Sequence, residues 1–117
     1  LVPGVARTGV GSPQVEFEGG VRLPLPRSAR AADGQAVLYG MRPEHCLLGT
    51  GPGLPAEVVV VEPTGADTQL FCRYAGQELS SLVRERVTCR PGDRVSLMPD
   101  IDRAHLFDAA SGGRLAA

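Results

Sequence analysis

The sequence predicts an all-β domain, a sandwich or barrel of short strands. Three observations carry that expectation. Apolar segments recur about every ten residues and are separated by Gly/Pro turns. The chain holds Gly 15 and Pro 10 in 117 residues, which favours turns over long helices. The run Ala56-Glu57-Val58-Val59-Val60-Val61-Glu62 packs well on a pleated sheet and poorly in a helix.

The elements follow in order. Residues 14–18, Gln-Val-Glu-Phe-Glu, alternate polar and apolar, the period of a half-buried strand. Gly19-Gly20 supplies a tight hairpin turn. Residues 21–25 alternate again. Pro24 cannot donate to a ladder, so this strand belongs at an edge or turns its proline outward. Residues 26–34 are a polar loop ending in the Asp33-Gly34 turn, and residues 35–41 form the next strand. Then comes a kink, Arg42-Pro43-Glu44-His45, in which Pro43 lacks a backbone donor and pushes Arg42 toward an extended conformation. Arg42, Glu44 and His45 are expected to satisfy polar groups that the kink leaves without ladder partners, which makes the segment a structural joint. Cys46-Leu47-Leu48 resumes as a strand. Residues 50–53 form a loop, with a candidate internal boundary near 49–54.

The Val run should place Val58 and Val60 on one face and Val59 and Val61 on the other. Thr64-Gly65-Ala66-Asp67 closes a hairpin, because Gly65 accepts positive φ and Asp67 can bond its own backbone. Residues 68–74 and 78–83 are strands around the Ala75-Gly76 turn, with one helical turn expected within 81–86. Pro91-Gly92-Asp93 turns the chain before the strand at 94–98. His105-Leu106-Phe107-Asp108 is the last strand, with Leu106 and Phe107 on opposite faces. Phe107, among so few aromatics, is a core or interface anchor.

Composition excludes several functions. The formal net charge is -1, so no global field attracts nucleic acid or acidic lipid. All 12 basic residues are arginines, which excludes the phosphate-gripping lysine of a P-loop. Cys46, Cys72 and Cys89 form no Cys-x-x-Cys pair and read as buried reduced thiols in a cytoplasmic protein. No run approaches the roughly 20 apolar residues of a membrane span. Leu1 replaces an initiator Met, so a fragment of a longer chain is expected.

An ordered series of short motifs carries a family resemblance. Gly40-Met41-Arg42-Pro43-Glu44-His45 comes first, then Ala56-Glu57-Val58 and Val61-Glu62-Pro63-Thr64-Gly65-Ala66-Asp67-Thr68. Arg90-Pro91-Gly92-Asp93-Arg94-Val95, His105-Leu106-Phe107-Asp108 and Gly113-Arg114-Leu115 follow. Each is weak alone. Together they resemble the C-terminal regulatory region, the TOBE domain, of ATP-binding subunits of sugar and glycerol-3-phosphate ABC importers. Met41 stands where such sequences often have Ile or Val, and Cys46 where an aliphatic residue is usual.

The resemblance implies an OB-like antiparallel β-barrel with little helix, residues 1–117 forming one regulatory domain just past a missing ATPase domain. It implies a homodimer through paired regulatory domains, attached to its own ATPase domain and to membrane permease subunits. The location implied is cytoplasmic, on the inner face of the membrane, without direct insertion. No cofactor belongs to this fragment; ATP and Mg belong to the missing ATPase domain. The fragment is then not itself an enzyme. The Arg42 to His45 joint would help shape the regulatory surface.

Other readings rest on thinner patterns. Glu44 and His45 form an acid/base pair on paper, without a neighbouring nucleophile. His105 and Asp108 lack an evident third metal ligand. Arg84-Glu85-Arg86 reads as a solvated face, and Arg22, Arg27 and Arg30 as solvated loop arginines. Few aromatics and no lysine argue against single-stranded nucleic acid. The alternative function is a small-oxyanion sensor. Some TOBE domains bind molybdate, and Thr64, Thr68, Ser80 and Ser81 offer hydroxyls here.

Overall fold

A computed structural model describes residues 1–9, 11–49, 51–84 and 87–116. In chain order its strands are β1 Val2–Arg7, β2 Gln14–Glu16, β3 Arg22–Pro24, β4 Ala36–Gly40 and β5 Cys46–Gly49. They continue as β6 Leu54–Thr64, β7 Asp67–Tyr74, β8 Gln77–Val83, β9 Arg94–Pro99 and β10 His105–Asp108. Two single 3-10 turns, Glu18–Gly20 and Pro43–His45, are the helical segments among the described residues. Every strand pairing among the described residues is antiparallel. The chain divides into two compact units, Leu1–Met41 with Ile101–Ala117, and Arg42–Asp100. Residues 49–54 lie inside the second unit.

The first unit is a sheet of order β10-β4-β1-β2-β3. Val2, Ala6, Val15, Phe17, Leu23, Val37, Tyr39 and Leu106 are buried in it. Phe17 and Tyr39 meet edge-on with ring centroids 5.6 Å apart, the arrangement their quadrupoles favour. The Tyr39 hydroxyl donates to the Pro24 carbonyl at 3.1 Å, so the phenol is buried without losing a partner. β3 ends the sheet, which is where Pro24 belongs.

β1 lies outside the expected strand series, which began at residue 14. Pro3 and Gly4 hide it. The structure accommodates both. Pairing with β2 begins only at Val5, so at Pro3 the strand has a neighbour on the β4 side alone. At Gly4 a Cβ would meet Val15 Cγ1 at 2.6 Å and the Glu16 carbonyl oxygen at 3.0 Å. Glycine is there because the Val15 side chain and the Glu16 backbone press against it, not because the chain turns.

The second unit is a sheet of order β5-β9-β6-β7-β8 around Cys46, Leu54, Ala56, Val58, Leu70, Cys72 and Leu97. Its end strands meet: the fully buried Ser81 hydroxyl on β8 donates to the Cys46 carbonyl on β5 at 2.6 Å. The sheet thereby curls toward a barrel. This corrects the helical turn expected from residue 81. Ser81 to Val83 are strand, while residues 85 and 86 lie outside the described residues. The alternation expected along the Val run also fails. Val58 pairs with Cys72, but Val60 pairs with Phe71, so Val59 is an extra residue in a β-bulge. Val58 is buried; Val59 and Val60 are 38% and 45% exposed. One inserted residue puts two adjacent valines on the outer side. Among the described residues no helix is long and apolar enough to cross a membrane.

Candidate functional site

The Arg42 to His45 kink is where the chain passes from the first unit into the second. Arg42 is extended (φ -80, ψ 152) and Pro43 opens the 3-10 turn, as its fixed φ and missing donor favour. Backbone groups close the kink. The His45 N–H donates to the Arg42 carbonyl at 2.9 Å, the Cys46 N–H to the Pro43 carbonyl, and the Asp100 N–H to the His45 carbonyl at 2.9 Å. The Arg42 and Glu44 side chains are exposed. Backbone bonds therefore close the turn itself, with Arg42 and Glu44 turned to solvent.

The two turns behave differently from each other. At residues 64–67 Gly65 takes φ 75, and Asp67 begins β7, its carboxylate 3.6 Å from Arg84. At residues 90–93 Gly92 takes φ 93, and Asp93 accepts the Arg90 N–H at 2.9 Å. That second turn also grips the bulge. The Gly92 N–H donates to the Val58 carbonyl and the Val58 N–H to the Asp93 carbonyl, both at 2.8 Å. Pro91 is exposed at its tip. Phe107 is half-buried and packs where a Gly40 Cβ would come within 3.1 Å of its ring, while Leu106 beside it is fully buried.

The remaining polar candidates are engaged elsewhere. His105 Nδ1 is 2.8 Å from an Arg114 guanidinium nitrogen, which donates to it. Asp108 accepts from Gln35 and from the Ser111 N–H, both at 3.0 Å, and these bonds hold its carboxyl below the usual range. Among the described residues no group of three or more His, Cys, Asp or Glu is arranged to hold a metal ion. Of the hydroxyls suited to an oxyanion, Thr68 and Ser81 are buried in the core, and Ser81 donates to Cys46. Thr64 is exposed and Ser80 half-buried. Burial pushes the Cys46 thiol up to about 12 and the Cys72 thiol to about 11, so neither is a nucleophile near neutral pH.

The nominated residues therefore do not form one catalytic constellation. The structure adds a feature that pattern reading missed, a groove of about 230 Å³ beside the bulge. Val59, Val60, Phe71, Arg73, Glu78 and Ser80 line it. A strict two-residue period leaves no room for two adjacent exposed valines. The faint available signal was the length of the Val run, longer than one face needs.

The TOBE domain model matches residues 39–107, and the chain belongs to that family. The uncharacterized ABC transporter ATP-binding protein y4oS of Sinorhizobium fredii is 45% identical over 104 residues, covering 89% of this chain and 28% of that protein. The sn-glycerol-3-phosphate import ATP-binding protein UgpC 2 of Agrobacterium fabrum is 34% identical, covering 91% and 29%. The sulfoquinovosyl glycerol transport ATP-binding protein SmoE of the same organism is 30% identical, covering 91% and 31%. The chain spans less than a third of the length of these relatives. The cytoplasmic molybdate-binding protein ModG shares the fold, with TM-score 0.68 and 18% identity over 90% of this chain and 92% of that one.

Proposed function

We propose that this chain is the regulatory and dimerisation domain of the ATP-binding subunit of an ABC importer for sugars or glycerol 3-phosphate. The supporting observation is that TOBE membership comes with relatives named as transport ATP-binding proteins, each about three times longer than this chain. ATP and Mg belong to the rest of such a subunit. This domain has no lysine and so no P-loop lysine, and hydrolysis is assigned to the rest of the subunit. Its partners are its own ATPase domain, the membrane permease subunits and a second regulatory domain. Its place is the cytoplasmic face of the membrane. The Arg42 to His45 joint fixes the direction in which the chain enters the second unit, and Phe107 anchors the last strand.

A second reading is small-oxyanion sensing, favoured by the fold shared with a molybdate-binding protein. Two measurements separate them. A dimerisation domain shows concentration-dependent mass by sedimentation and no melting shift with molybdate, tungstate, sulfate or phosphate. A sensor gains roughly 3 kcal/mol at a hundredfold excess of ligand over its dissociation constant. A saturable shift with one anion, at constant ionic strength, replaces the first reading with the second.

A further inference from the structure

The outer face of the second unit carries an ordered row of charges. Arg94 on β9 pairs in register with Glu57 on β6, Glu57 with Arg73 on β7, and Arg73 with Glu78 on β8. All four are exposed. Across four adjacent strands the signs therefore read plus, minus, plus, minus. Among the described residues, none of the four is in an ion pair. Toward the far end of β6 the next row is apolar, Val60 in register with Phe71, widened by the bulged Val59.

This pattern has a symmetry. A twofold axis lying in the face, parallel to the strands and between β6 and β7, exchanges the two ends of the row. Glu57 then meets Arg73 of a second copy across the axis, while Arg94 and Glu78, on the strands that curl away, flank that contact with signs matched in the same sense. Each central charge faces its opposite. The same axis lays Val60 of one copy on Phe71 of the other, because it moves nothing along the strand. Sheets packed face to face cross at about 30°. That crossing keeps the central Glu57–Arg73 contacts, and the curl of the sheet leaves Arg94 and Glu78 at the rim, where they act through the field of the row. A row with signs plus, plus, minus, plus has no such property, and neither does a uniformly charged one.

We propose that this face is the isologous surface on which two copies of the domain meet, with Val59, Val60 and Phe71 at its centre and the charge row fixing its register. The proposal rests on the dimerisation reading above and names its surface. An apolar centre flanked by charge also explains why two valines stay exposed where strand alternation would hide one.

The test uses two variants of this chain. Arg73→Glu with Arg94→Glu makes the row wholly acidic, and Glu57→Arg with Glu78→Arg makes it wholly basic. Each alone is expected to dimerise roughly a hundredfold more weakly than the unmodified chain, because like charges oppose at the axis and flank it on both sides. Mixed one to one, they are expected to recover a dimer, a result that also shows both are folded. A third variant, Val60→Asp, places a charge in the apolar row of an already exposed position and is expected to abolish the dimer. Charge variants that each dimerise like the unmodified chain overturn this face while leaving dimerisation intact. An unmodified chain that stays monomeric at every concentration overturns the dimerisation reading, and this face with it.

Discussion

The two units spend similar residues in different ways. In the first, the aromatic pair Phe17 and Tyr39 is sealed inside, and charges are matched on the spot. Glu16 accepts from Arg7 at 2.9 Å and lies 3.5 Å from Arg22, and these arginines hold its carboxyl below its ordinary value. Its edge strand β10 is strapped by the chain behind it, the Leu115 N–H donating to the Leu106 carbonyl and the Asp108 N–H to the Gly113 carbonyl. In the second unit Val59 and Val60 lie open, and Glu57, Arg73, Glu78 and Arg94 wait in register with no ion pair among the described residues. On the β1-β2-β3 side of the first unit the charges are paired. The second leaves a patterned face unsatisfied, which is what a surface made for a partner looks like.

The contrast is broken most sharply in the core of the first unit. Tyr39→Ala removes a fully buried ring, its edge contact with Phe17 and its bond to Pro24. A loss of about 3–5 kcal/mol in unfolding free energy is expected from chemical denaturation. A loss under about 1 kcal/mol would mean that this unit does not depend on its aromatic pair.

Next comes the closure of the second unit. Ser81→Ala leaves the buried Cys46 carbonyl without its 2.6 Å donor. A loss of about 1–3 kcal/mol follows. Ser81→Cys, with a weaker donor, should fall between. Were Ser81→Ala neutral, the meeting of β5 and β8 would rest on packing alone.

Alkaline pH separates the units a third way, since all three cysteines lie in the second. The folded Cys46 and Cys72 thiols titrate near 12 and 11, above the ordinary 9.0, because burial disfavours the thiolate. The folded pKa is the higher, so their contribution is fully present below about pH 9 and is lost as pH rises toward 12. Tyr39 is shifted up by burial as well, but from an ordinary value of 10.0. Denaturant midpoints measured between about pH 8 and pH 10 should therefore fall, and fall less in Cys46→Ala. An equal fall in that variant would remove Cys46 as the cause.

The smallest effect belongs to the joint. Glu44 is exposed and the kink is closed by backbone bonds, so Glu44→Ala should change the melting free energy by under about 0.5 kcal/mol. A drop of several degrees would restore the side chain to a closing role.

What the sequence made legible depended on whether local chemistry and tertiary demand agreed. His105 to Asp108 fell in place because its alternation is intact and its limits are short. Pro24 marked an edge because a missing donor has one tolerable location. Pro3 and Gly4 concealed β1 because local propensity reads both as breakers, whereas Gly4 is required by the closeness of Val15. Ser81 read as the start of a helical turn because nothing local announces that its hydroxyl will bridge two strands. The bulge was hidden for a similar reason. A Val run fits either face, and only the grip of Gly92 and Asp93 on Val58 fixes where the extra residue goes. The charge row was invisible for a stronger one: Arg94, Glu57, Arg73 and Glu78 are neighbours only once the register of four strands is known.

The measurement that bears most directly on this contrast is a dilution series followed by amide and methyl nuclear magnetic resonance. As concentration rises, shifts are expected to move at Glu57, Val59, Val60, Phe71, Arg73 and Glu78, with residues of β1, β2 and β3 unmoved. Movement concentrated on Arg7, Glu16 and Arg22, with the Val60 and Phe71 signals fixed, would contradict the account.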